Sequence, residues 1–143
     1  MIDYFSPEFR LANGKTRILA IWDQAAKPNE EKGQLPPEGY REGVLYTRER
    51  VDEALATDSR EKGFQIVPHR DTSGHGTAVA GVAAGTKTGV APEAELIIVK
   101  LATPLPNTFP RTTQLMRGIT YAVNMGVALD RPVVINLSFG NTY

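Results

Sequence analysis

Three stretches of the chain are apolar almost without a break, and each is about as long as a strand. Arg17-Ile18-Leu19-Ala20-Ile21-Trp22-Asp23 ends on a carboxylate, Glu95-Leu96-Ile97-Ile98-Val99-Lys100-Leu101 is bracketed by charge, and Pro132-Val133-Val134-Ile135-Asn136-Leu137 runs into Ser138-Phe139-Gly140. Continuous rather than alternating hydrophobicity suits strands covered on both faces of a parallel sheet. Between them the period changes. Leu115, Ile119, Ala122 or Val123, and Val127 recur at helical spacing through Arg111 to Leu129. Ala78 to Ala84 forms a second helical run made of very small residues. Strands separated by helices predict an α/β fold with a mainly parallel sheet and helices on both faces.

The remaining segments are weaker. Residues 1–16 read as an irregular lead-in ending at the turn Asn13-Gly14. Lys27 to Gly43, rich in Pro, Gly and charge, reads as a surface insertion, and Thr47 can cap a short helix carrying Val51, Ala54 and Leu55. Gln65-Ile66-Val67 is at best a short strand stopped by Pro68. Thr86 to Pro92 is a turn, and Ala102 to Pro110, with its prolines, is a loop. No internal repeat or low-complexity tract interrupts the 143 residues, the length of one domain.

Composition narrows the chemistry. Sixteen basic residues balance sixteen acidic ones, so no global field recruits nucleic acid. The absence of cysteine excludes disulfides, thiolate metal sites and a cysteine nucleophile, and two histidines are too few for a histidine-rich zinc site. No apolar run approaches the ~20 residues of a membrane span. Met1-Ile2-Asp3-Tyr4-Phe5 lacks the regions of a signal peptide.

The densest candidate chemistry is Asp71-Thr72-Ser73-Gly74-His75-Gly76-Thr77-Ala78-Val79-Ala80-Gly81. Thr72, Ser73 or Asp71 can cap a helix starting near His75, which would hold that imidazole rigidly as a general base. Gly76 and Gly81 each cost about 1 kcal/mol of helix stability against Ala, so close backbone packing or substrate approach is expected to offset them. In open α/β sheets the reactive groups gather beyond the carboxyl ends of the strands. Asp23, His75 and Ser138-Phe139-Gly140 all fall at such ends. A carboxylate beside an imidazole fixes its tautomer and stabilises the imidazolium, the orienting half of a nucleophilic triad. The segment Gly81 to Thr88 superficially suggests a phosphate loop, but Thr86 separates Gly85 from Lys87, and the glycines fall within or at the end of a helix.

His-Gly-Thr-x-Val-Ala-Gly at His75–Gly81 resembles the histidine motif of the subtilases, the subtilisin-like serine proteases. Gly89-Val90-Ala91-Pro92 and Val134-Ile135-Asn136-Leu137-Ser138-Phe139-Gly140 are similar to two further segments of that family. The resemblance spans about residues 17–140. It implies a subtilisin-like, truncated three-layer α/β/α fold, with residues 1–143 a single N-terminal piece of a catalytic domain. It also implies Asp23 and His75 as catalytic residues and a peptide or protein substrate. That substrate would run as an extended strand between Leu101-Ala102-Thr103 and Ser138-Phe139-Gly140, with Ser138 a binding residue and not the nucleophile.

Three departures accompany it. Trp22-Asp23-Gln24 lacks the glycine usual after the aspartate. The long segment 24–71, an insertion between the Asp and His motifs, is similar to that of clostridial germination-type subtilases. The short connection Gly85 to Gly89 leaves no room for the family's calcium loop, so no metal or other cofactor is expected. Further, no Gly-Thr-Ser nucleophile motif occurs, and this polypeptide alone is expected to be inactive, as a protease fragment or as a non-catalytic, partner-binding pseudoprotease. The strand at 133–138, edge-exposed and uncharged, is expected to pair with another copy of the chain.

Overall fold

The computed structural model describes residues 1–102 and 112–138. The chain forms two compact units, Met1–Lys100 and Leu101–Tyr143.

In the first unit the leading apolar run becomes β1, Ile18–Asp23. It is the middle strand of a three-stranded sheet, flanked by β2 (Val44–Thr47) and β3 (Leu96–Lys100). A strand with a neighbour on each side satisfies its amides there and can bury nearly every side chain. Ile18, Ala20, Ile21 and Trp22 are all buried. β3 runs parallel to β1 and aligns Asp23 with Lys100, while β2 runs antiparallel and aligns Asp23 with Val44. The α/β class expected from the sequence is the class observed, in a mixed sheet with one pairing of each kind.

β2 comes from the segment read as an insertion. Val44 and Tyr46 are buried while Leu45 and Thr47 are less so, the period-two pattern of a half-buried strand. Thr47 then leads into α1, Arg48–Leu55, and Val51 and Ala54 are buried as the spacing predicts. The Gln65–Val67 strand is corrected to a helix, α2, Arg60–Ile66. The Ser59 hydroxyl accepts the Lys62 amide at 3.3 Å, and Arg60, Glu61 and Lys62 are sound helix formers. That start overrides the local preference of Ile66 and Val67 for extended structure. Segment 24–71 therefore supplies Val44, Tyr46, Val51, Ala54 and Val67 to the core.

The opening residues are also more than a lead-in. Ile2, Tyr4 and Phe9 are buried in the same core, and a turn of 3₁₀ helix covers Pro7–Phe9. The turn at Asn13-Gly14 is present, with the Lys15 amide on Asn13 Oδ1 at 3.0 Å. The guanidinium of Arg17 holds the unit together. It donates to the carbonyls of Ala94 at 2.6 Å and Glu8 at 2.7 Å, to that of Ala84, and to Thr86 Oγ1 at 3.2 Å. Burial pushes its pKa down. Ala84 ends α3, His75–Ala84, so Arg17 satisfies one of the orphan carbonyls at that helix C-terminus.

In the second unit, α4 spans Thr112–Ala128, with Leu115, Ile119 and Ala122 half-buried and Val123 and Val127 exposed. Asp130, at φ 52°, ends it. The Arg131 amide reaches back to the Gly126 carbonyl at 2.9 Å and that of Asp130 to Val127 at 3.1 Å, a left-handed helix stop that Pro132 reinforces. The strand expected at Pro132–Leu137 is not formed: residues 131–138 are irregular and have no ladder partner among the described residues. Apolar content alone cannot make a strand without a neighbour to accept its hydrogen bonds. Among the described residues, no helix is long and apolar enough to cross a membrane.

Candidate active site at the end of the central strand

Asp23 closes β1 with its side chain 11% exposed. Its Oδ1 accepts the Ala25 amide at 3.0 Å, and the Gln24 amide donates to the Lys100 carbonyl at 2.9 Å. The carboxylate thus builds the turn that a glycine would otherwise ease. Parallel pairing sets Lys100 alongside, and its ammonium lies 3.3 Å from Oδ1. The other oxygen, Oδ2, lies 2.9 Å from Nδ1 of His69.

His69 is fully enclosed, and its Nε2 accepts the Ile2 amide at 3.2 Å. Because an amide N–H can only donate, Nε2 must be the unprotonated nitrogen. The ring proton then sits on Nδ1 and is donated to Asp23. Burial pushes the Asp23 carboxyl up, but the hydrogen bond from His69, with the Lys100 ammonium and the Ala25 amide, outweighs it and holds the group below its ordinary value.

His75 begins α3, as the motif predicts. Of the three candidate caps, Asp71 does most of the work. Its Oδ1 accepts the amides of Ser73 at 3.2 Å and Gly74 at 3.0 Å, and its Oδ2 accepts the Thr77 amide at 2.9 Å and hydroxyl at 2.6 Å. Ser73 Oγ takes the His75 amide at 3.3 Å. Gly74, at φ 74°, makes the left-handed step into the helix. The glycines of the motif differ. A Cβ at Gly76 would strike the main chain of Met1, whereas Gly81 faces open space. Close packing therefore accounts for the first and not the second.

The imidazole of His75 is exposed, and no hydrogen bond joins it to Asp23. The carboxylate expected to orient His75 is bonded instead to His69, a residue that no motif in the sequence singles out. Its signal was thin: one histidine two residues before Asp71, after a proline. Of the expected substrate-binding residues, Leu101 and Ala102 directly follow β3 and are half-buried. Ser138 is exposed and its Oγ accepts from Asn136 Nδ2 at 2.8 Å. Thr103, Phe139 and Gly140 lie outside the described residues. Among the described residues, no cluster of three His, Cys, Asp or Glu side chains is arranged to hold a metal ion.

A family model described as the subtilase family matches residues 6–143. Over 72 residues, 49% of the chain, the sequence is 35% identical to the Subtilisin-like protease PopC of Myxococcus xanthus (strain DK1622), covering 15% of that protein. The fold is similar to the solved structure of the Clostridium perfringens CspB protease. The TM-score is 0.69 at 32% identity, over 92% of this chain and 25% of that one. The chain thus spans a quarter or less of the length of either relative.

Proposed function

The chain belongs to the subtilase family, and from that premise we propose that it is the part of a serine endopeptidase that contributes the orienting aspartate and the general base. Asp23 is the aspartate and His75 the base. In this reading His75 takes the proton from a serine hydroxyl attacking a peptide carbonyl and returns it to the leaving amine, while Asp23 stabilises the imidazolium. Leu101, Ala102, Ser138, Phe139 and Gly140 border an extended substrate, where backbone pairing supplies affinity and side-chain pockets supply selectivity. The single observation that carries the reading is the motif His75–Gly81, opening a helix whose first turn is fixed by Asp71. No Gly-Thr-Ser occurs among the 143 residues. Without that nucleophile this polypeptide alone turns over no peptide bonds.

A second reading, a partner-binding pseudoprotease, is favoured by the engagement of Asp23 with His69 rather than His75. Peptide hydrolysis by the full-length protein separates the two. In the protease reading, Asp23→Asn and His75→Ala each lower turnover by several orders of magnitude, as triad substitutions do in subtilisin itself. Near-normal turnover in the His75→Ala protein rules out His75 as the base, and a full-length protein with no activity at all supports the second reading.

A further inference from the structure

Residues 1–4 grip the segment from Val67 to Thr77, which carries His75, at four points. The Ile2 amide donates to His69 Nε2 at 3.2 Å and the Asp3 amide to Thr77 Oγ1 at 2.8 Å. The Tyr4 hydroxyl donates to the Val67 carbonyl at 2.9 Å. The main chain of Met1 lies over Gly76 so closely that a Cβ there would stand 1.8 Å from its carbonyl oxygen. The segment is itself anchored. Ile2 and Tyr4 are buried, and the Asp3 carboxylate is paired with Arg60 at 2.6 Å. These contacts bracket His75, with His69 and Val67 before it and Gly76 and Thr77 after.

Their effect reaches the site through one ring. An amide hydrogen on Nε2 forces the His69 proton onto Nδ1, where its acceptor is Asp23. The histidine expected to need that carboxylate is left exposed. The charged group on Asp23 is Lys100, and the buried phenol of Tyr46 also feels the carboxylate's charge. Lys100 occupies Oδ1 and does not compete for Oδ2.

We propose that residues 1–4 form a latch that commits Asp23 to His69 and keeps it from His75, so that the candidate base gains its carboxylate only when this segment moves. The latch is a regulatory contact, and it rests on the assignment of Asp23 and His75 as a working pair. Ile2→Pro removes the amide that fixes the His69 tautomer, and Gly76→Ala removes the seat of Met1, and each leaves the side chains of Asp23, His69 and His75 themselves unaltered. His69→Gln removes the competing ring.

The test is long-range proton–nitrogen NMR of the two imidazoles in the 143-residue chain, with and without Asp23→Asn. In the unaltered chain, Asp23→Asn is expected to shift the ring nitrogens of His69 and leave those of His75 in place. In the Ile2→Pro, Gly76→Ala or His69→Gln background, the same substitution is expected to shift those of His75. A His75 response in the unaltered chain overturns the latch while leaving the Asp23–His75 assignment standing. A His75 that ignores Asp23 in every folded background overturns both. Should the backgrounds fail to fold, the unaltered chain decides alone, since a His69 that does not respond to Asp23→Asn also refutes the latch.

Discussion

Replacing Arg17 by Met removes a cation while keeping much of its aliphatic stem, which isolates what the guanidinium holds. Three carbonyls and one hydroxyl lose a donor, from Glu8, Ala84, Thr86 and Ala94. The bond to Ala84 is buried, and an acceptor left dry costs about 1–3 kcal/mol. The others are part-buried and recover water, at roughly 0.5–1.5 kcal/mol each. Release of a desolvated cation offsets some of this. The expected net loss is about 3 kcal/mol. For a chain near 150 residues it lowers the melting temperature by roughly 6–12 °C. Thermal and urea denaturation followed by circular dichroism measure it. Arg17→Lys is expected to fall between the two, because one ammonium cannot span the spread of carbonyls that a planar fork does. If Arg17→Met lies within about 0.5 kcal/mol of the unaltered chain, a range typical of bland surface changes, Arg17 does not join β1, α3 and the approach to β3, and the argument fails.

Two further outcomes are expected. Burial pushes the Asp71 carboxyl up, but the Thr77 hydroxyl and the amides of Thr77, Gly74 and Ser73 pull it well below the carboxylate range. A depressed folded value means a contribution fully present above about pH 4 and lost as the pH falls through that value. Asp71→Asn should therefore cost about 1 kcal/mol at pH 7, the worth of a helix cap. The gap should shrink below pH 4, and thermal melts showing it constant with pH contradict the cap. We also propose that the isolated chain self-associates through 133–138, where Val134 is 97% and Leu137 53% exposed. Light scattering across a dilution series should show oligomers that Val134→Lys weakens, and a monomer at every concentration excludes this.

What could be read from the sequence follows from where the stabilising interactions lie. β1 is legible because a strand enclosed in a sheet has to be apolar throughout, and β3 because an uninterrupted apolar run packs alongside it. α3 and α4 announce themselves by a capping loop and by helical spacing. β2 was missed because four residues alternate too briefly to outweigh the Pro- and Gly-rich segment before them. α2 was misread because Ile66 and Val67 look extended, while the determinant is the Ser59 cap upstream. The strand at 132–137 fails for the opposite reason, its apolar pattern having no partner among the described residues. Asp23 and His75 were visible as strand-end and motif residues. His69 was not, because its role depends on a backbone amide 67 positions away, and no local pattern encodes such a contact.

The assignment of the base is tested most directly by a peptidyl chloromethyl ketone, which alkylates the imidazole that serves a serine nucleophile. The reagent is applied to the full-length protein and the modified residue located by mass spectrometry of its peptides. Stoichiometric label on His75, abolished by His75→Ala and with none on His69, is the expected result. Label on His69, or no histidine label in a preparation that hydrolyses peptides, contradicts it.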